Sequence, residues 1–91
     1  MAYRIELTKT SAKEIRELPG HIRQRARRLV DGLVENPRPA GSQELRDLPG
    51  RFRVRLDRWR IIYRVDYDAE LVTLLRVRLK TGPETYEALE D

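Results

Sequence analysis

The stretch Arg51-Phe52-Arg53-Val54-Arg55-Leu56-Asp57-Arg58-Trp59-Arg60-Ile61-Ile62-Tyr63-Arg64-Val65 decides how the chain folds. Phe52, Val54 and Leu56 alternate with Arg51, Arg53 and Arg55. That two-residue period predicts a strand with one buried face and one cationic face. After a short turn region at Arg58-Trp59, Arg60 to Val65 reads as the next strand. Ile61, Tyr63 and Val65 lie on one face, and Arg60, Ile62 and Arg64 on the other. Asp66 to Glu70 has the length of a hairpin turn. Leu71 to Lys80 then reads as the last strand, with Leu71, Thr73, Leu75, Val77 and Leu79 on one face. Its other face carries Val72, Leu74, Arg76, Arg78 and Lys80.

Upstream, Tyr3 to Leu7 alternates as a first strand. Ala12, Ile15 and Leu18 recur at helical spacing, and Ser11 with Glu14 fits a capping box, so 11–18 reads as a short helix. Pro19-Gly20 ends it. Ile22, Ala26, Leu29, Val30, Leu33 and Val34 form one apolar stripe of a second helix that stops at Asn36-Pro37. Arg23, Arg25, Arg27 and Arg28 lie on or beside its opposite face. Residues 37–50, with three prolines and two glycines, read as a loop anchored by Leu45 and Leu48. Pro83 to Leu89 reads as a terminal helical turn. The order β-α-α-β-β-β predicts an α+β fold: an N-terminal strand and a helical hairpin packed on a mainly antiparallel four-stranded sheet. Where the first strand pairs is not given by the sequence.

The 91 residues are enough for one domain, spanning 1–91. Hydrophobic residues make up 40% and charged residues 37%, too apolar and periodic for a disordered chain. There is no cysteine and a single histidine, His21, which excludes a disulfide framework, a thiolate metal site and a cysteine nucleophile. Neither a membrane span nor a signal-peptide pattern is visible, so the expectation is a cytoplasmic protein without cofactor or metal. The net charge of +4 is unevenly placed. Residues 51–80 hold nine basic and four acidic side chains, eight of the nine being arginine, while 81–91 hold four acids and no base.

Parity places Arg51, Arg53 and Arg55, then Arg60 and Arg64, then Arg76, Arg78 and Lys80 each on one side of their strand. If the apolar sides all meet the helices, up to eight cations converge on the exposed sheet face; a β-bulge would break this for one strand. Cations so close are unfavourable without an anion to join them. Arginine, whose planar donors match phosphate oxygens in pairs, points to nucleic acid.

The ordered set of motifs resembles the RelE-like toxins of bacterial toxin–antitoxin pairs, within the RelE/ParE superfamily. It comprises Asn36-Pro37-Arg38, Glu44-Leu45-Arg46-Asp47-Leu48-Pro49-Gly50, Phe52-Arg53-Val54-Arg55-Leu56, Trp59-Arg60-Ile61-Ile62-Tyr63-Arg64-Val65 and Lys80 to Tyr86. The resemblance implies a ribosome-dependent mRNA endonuclease working without a metal. In that reaction a 2′-hydroxyl attacks the adjacent phosphate, leaving a 2′,3′-cyclic phosphate and a 5′-hydroxyl. Arg53 and Arg55 match a basic pair that is lysine in the best-known members. Arg60 matches an arginine that grips the scissile phosphate, and Lys80 stands where another arginine shares that role. Tyr86 matches a late tyrosine that stacks on a base and helps proton transfer. Arg51, Arg64, Arg76 and Arg78 are expected to contact RNA more generally. Arginine is a poor proton acceptor. The base is then Lys80 or Tyr86, or the 2′-hydroxyl is positioned without a dedicated base.

The resemblance also implies a cognate antitoxin, a ribosome and mRNA as partners, with no membrane and no direct sequence-specific DNA binding by this chain. Two other readings share the fold: a ParE-like inhibitor of DNA gyrase, and a degenerate homologue that binds an antitoxin without nuclease activity.

Overall fold

The computed structural model describes residues 2–79. Its elements in chain order are β1 (Arg4–Leu7), α1 (Lys9–Arg16), α2 (Gly20–Leu33), β2 (Gln43–Glu44), β3 (Arg51–Leu56), β4 (Trp59–Asp66) and β5 (Leu71–Leu79). The expected α+β architecture is present, with one added strand. The two-residue β2 pairs with β3, so the sheet has five strands in the order β1-β5-β4-β3-β2. β1 lies parallel to β5, and every other pair is antiparallel. The expected helical turn at 83–89 lies outside the described residues.

The helices cover one face of the sheet. Ile15, Leu18, Ile22, Ala26 and Leu33 pack on Phe52, Val54, Leu56, Ile61, Tyr63, Val65, Val72, Leu74 and Val77. Burying one such aliphatic or aromatic side chain contributes about 1.5–3 kcal/mol, so this layer is the main source of stability. Phe52 and Tyr63 stand opposite each other in register and stack at 5.7 Å. The Tyr63 hydroxyl donates to the Pro37 carbonyl at 2.8 Å, and the Arg38 guanidinium lies 5.2 Å from the Phe52 ring centre. Both contacts tie the loop after α2 to the sheet.

α1 begins earlier than the apolar spacing suggests, and the expected capping box does not form. Thr8 is the N-cap, its Oγ1 accepting from the Ser11 N–H at 3.0 Å. Ser11 and Glu14 serve the sheet instead. β1 ends opposite Leu74, so β5 runs on without a strand on that side. There the Ser11 hydroxyl donates to the Leu74 carbonyl at 2.9 Å, the Thr8 hydroxyl donates to the Leu75 carbonyl at 3.3 Å, and Glu14 Oε1 accepts from the Val77 N–H at 2.7 Å. The helix thus supplies the hydrogen bonds that an edge strand would lack. Pro19 does not only end α1: it is the N-cap of α2, so just a short turn separates the helices.

β5 departs from simple alternation. Its register with β4 shifts between Ile62 and Tyr63, which pair with Arg76 and Leu74 and leave Leu75 as the extra residue of a bulge. Val72 and Leu74, expected beside Arg76 and Arg78, therefore face the helices, and Leu75 faces the other way. Leu75 joins Leu45 and Ile62, with Leu48 against them, in a small second apolar cluster. Among the described residues no helix is long and apolar enough to cross a membrane.

Candidate functional site

The face of the sheet away from the helices carries the arginines, in rows set by strand register. Arg55 stands opposite Arg60, and Arg60 opposite Arg78, which makes three arginines on three neighbouring strands. Directly opposed residues in antiparallel pairs sit about 4.5–5.5 Å apart at Cα. A second row is Arg51, Arg64, Thr73 and Glu6, and between them lies Gln43, Arg53, Ile62 and Arg76. The expected convergence of eight cations is thus divided. Leu45 and Leu48 sit on Ile62 and Leu75 in the middle of the face, with the all-arginine row on one side.

The cations differ in environment. Arg55 and Arg78 are exposed, while Arg60 between them is only 5% exposed. Its guanidinium Nη1 donates to the Trp59 carbonyl at 3.4 Å. A guanidinium held out of water attracts an anion more strongly than one in bulk solvent. Arg53 is half-buried and its Nη2 donates to the Gln43 side-chain oxygen. Arg76 is engaged within the protein. Its Nε and Nη2 donate to Glu14 Oε2 at 3.2 and 3.0 Å, rather than to Asp66 or Glu70 in the neighbouring turn. Lys80 and Tyr86 lie outside the described residues.

The β3–β4 turn shapes the end of the arginine row. Asp57 adopts a left-handed conformation with φ 55°, which aspartate tolerates better than most residues. Its carboxylate pairs with Arg25 of α2 at 2.6 Å. That pairing takes one acid away from the row and fastens the turn to the helix. Trp59, one residue before Arg60, is half-buried against the helical core. Tyr63 lies in the core as its alternation predicts, and burial pushes its phenol up to about 12. Among the described residues no three His, Asp or Glu side chains gather as a metal site.

The part of the site that sequence reading missed is Glu14. Its place in an S-x-x-E pattern reads as a cap, and nothing marks a partner 62 residues away. What the assembled row can do is hold a phosphodiester. Two exposed guanidiniums flank a buried one, offering planar donor pairs on neighbouring strands.

The fold is shared with known proteins. No curated protein sequence matches the chain. Residues 5–80 match the model for the ParE toxin of the type II toxin–antitoxin system parDE. Among solved structures, the chain is similar to one in the RelBE2 toxin–antitoxin complex of Mycobacterium tuberculosis. Identity there is 27%, covering 88% of this chain and 100% of that one, with a TM-score of 0.75. It is similar to the archaeal RelE–RelB complex of Pyrococcus horikoshii, with 25% identity, 87% and 96% coverage and a TM-score of 0.78. The isolated RelE toxin of E. coli shares the fold, with 24% identity, 96% and 94% coverage and a TM-score of 0.80. With most of its length matched by the family model and its fold shared with these toxins, the chain belongs to the ParE toxin family of type II toxin–antitoxin systems, within the RelE/ParE superfamily.

Proposed function

We propose that this toxin cleaves mRNA on the ribosome, in the cytoplasm, by metal-independent attack of a 2′-hydroxyl on the neighbouring phosphate. The observation that carries the reading is the alignment of Arg55, Arg60 and Arg78 across three adjacent strands. A phosphodiester passing to a pentavalent transition state gains negative charge, and fixed cations placed around it lower the barrier. Arg60 is the phosphate grip, and Arg55 and Arg78 neutralise the developing charge from either side. Arg53 supports them from the next row, while Arg51 and Arg64 guide the strand from the far side of the Leu45–Leu48 cluster. Lys80 and Tyr86 complete the set, as a second phosphate contact and as the group that stacks on a base and moves the proton.

A cognate antitoxin would silence the toxin. The relatives solved with RelB partners support this, and an exposed cationic face suits an acidic segment as well as it suits RNA. One observation favours a second reading: the matching family model is described as ParE, which leaves inhibition of DNA gyrase on the same fold. Induced expression separates the two. Loss of intact mRNA with unchanged plasmid topology supports the nuclease, whereas gyrase-dependent DNA breaks with intact mRNA overturn it in favour of the second reading.

A further inference from the structure

β1 stands at the edge of the sheet, with β5 as its neighbour on one side and no strand on the other. The Arg4 N–H donates to the Glu70 carbonyl at 2.9 Å, and the Thr8 N–H to the Leu74 carbonyl at 3.2 Å. Alternate residues of a strand bond the same neighbour, so Arg4 and Glu6 bond β5 while Ile5 and Leu7 turn their N–H and C=O groups outward. Among the described residues nothing bonds to them there. An edge left open in this way is a template for another strand. Short length and charge usually blunt such edges, and β1 has both, but its two charges are of opposite sign.

The sequence Tyr3-Arg4-Ile5-Glu6-Leu7 is complementary to itself when read antiparallel. Outward-bonding residues must stand opposite outward-bonding residues. Pairing two copies about Arg4 would set arginine against arginine, and pairing them about Glu6 would set glutamate against glutamate, both unfavourable. Pairing about Ile5 sets Arg4 of each copy opposite Glu6 of the other, and Leu7 opposite Tyr3. That register also covers exposed apolar surface. Leu7 is 44% and Tyr67 48% exposed, and Tyr67 stands edge-on to Tyr3 with ring centres 6.4 Å apart. Leu7 of one copy then arrives beside the Tyr3–Tyr67 pair of the other, at both ends of the contact. The Tyr3 N–H is already held by the Val34 carbonyl at 2.8 Å, so Tyr3 takes part through its carbonyl and ring.

We propose that β1 pairs with β1 of a second copy of this chain, about a two-fold axis through Ile5, joining two five-stranded sheets into one. The contact is isologous and closes at two copies. Directly opposed residues share a face, so both arginine rows lie on the same side of the joined sheet. A strand from a different protein is disfavoured, because the edge already matches itself in charge, backbone direction and apolar surface. The inference does not depend on the RNA reading.

Sedimentation of the full chain over a wide concentration range tests it. Wild type is compared with Arg4→Glu, Glu6→Arg, the double exchange and Ile5→Pro, each checked for folding by circular dichroism. Wild type should show a monomer–dimer equilibrium. Either single exchange places like charges opposite each other twice and should weaken the dimer roughly tenfold, whereas the double exchange should restore it to within about threefold. Ile5→Pro removes an outward N–H at a position an edge strand tolerates, and should leave a monomer. If that variant does not fold, the charge exchanges decide alone. A wild type that stays monomeric at every concentration overturns the proposal. So does a dimer that the single exchanges leave intact, or one that the double exchange fails to restore. A monomeric wild type whose binding of an antitoxin is lost in Ile5→Pro assigns the edge to a strand of that partner and overturns it too.

Discussion

Glu14 of α1 accepts from Arg76 of β5 at 3.0 and 3.2 Å on one carboxylate oxygen and at 3.4 Å on the other, and that second oxygen also accepts the Val77 backbone N–H at 2.7 Å. One side chain thereby closes the exposed edge of β5 and fixes the strand just before Arg78. The pair is partly solvated, with the two side chains 26% and 20% exposed, which tempers its strength. Glu14→Ala should cost about 1–2 kcal/mol, and Glu14→Gln about half as much because it keeps an acceptor for Val77. Urea denaturation of the three proteins checks the order.

Thr8 has two tasks, capping α1 and bonding the Leu75 carbonyl at the bulge. Thr8→Ala should destabilise by about 1–2 kcal/mol, and Thr8→Ser by clearly less, since serine keeps the hydroxyl. Thermal melts of the two variants test whether the hydroxyl carries the effect.

Tyr63 gives the fold a sensitivity to alkali. Its phenol is raised from 10.0 to about 12, with burial as the largest cause. The native state therefore holds this proton more tightly than the unfolded chain does. The stabilisation is complete below about pH 10 and is lost as pH rises through about 12. Tyr63→Phe should cost about 1 kcal/mol at neutral pH through the lost bond to Pro37. The same variant should show a shallower fall in stability above pH 10 than the wild type. Denaturant midpoints measured between neutrality and strong alkali decide this.

Arg55 and Arg78 flank Arg60 and are exposed. Alanine at either position should lower the rate of mRNA cleavage by roughly 10–100-fold without loss of stability, and lysine should restore part of it. Arg27→Ala, on the solvent side of α2, should leave the rate unchanged. Cleavage kinetics of the matched set distinguish a role of the row from a general effect of charge.

Much of this architecture is legible in the sequence, because alternation and helical spacing report which side chains are buried. β3 is readable residue by residue, since arginine and apolar side chains alternate through its whole length. The core face of α2 follows from its apolar stripe. Three features are not legible for physical reasons. The strand Gln43–Glu44 is too short to carry a period and exists only because β3 offers an edge. The bulge at Leu75 lies in a run where Val72, Leu74, Leu75 and Val77 are all apolar, so no polarity marks where the faces exchange. The link between Glu14 and β5 is a contact between distant segments, and the same residue has a plausible local use as a cap. For the candidate site, parity correctly places Arg55, Arg60 and Arg78 on one face. What the sequence does not give is that they share a row, that Arg60 is buried, and that Arg76 is committed to Glu14.

The central claim is that the phosphate to be cleaved is gripped by Arg60 within this row. Its most direct test is single-turnover cleavage of mRNA on programmed ribosomes, with 5′ ends mapped by primer extension, for the wild type, Arg60→Lys and Arg60→Ala. Circular dichroism confirms that each variant is folded. The account predicts cleavage at the decoding site by the wild type, only with ribosomes present. It also predicts a loss of roughly 10²–10³-fold in Arg60→Ala and a smaller loss in Arg60→Lys. Intact mRNA with folded wild-type protein, or an Arg60→Ala variant that cleaves at the wild-type rate, would contradict it.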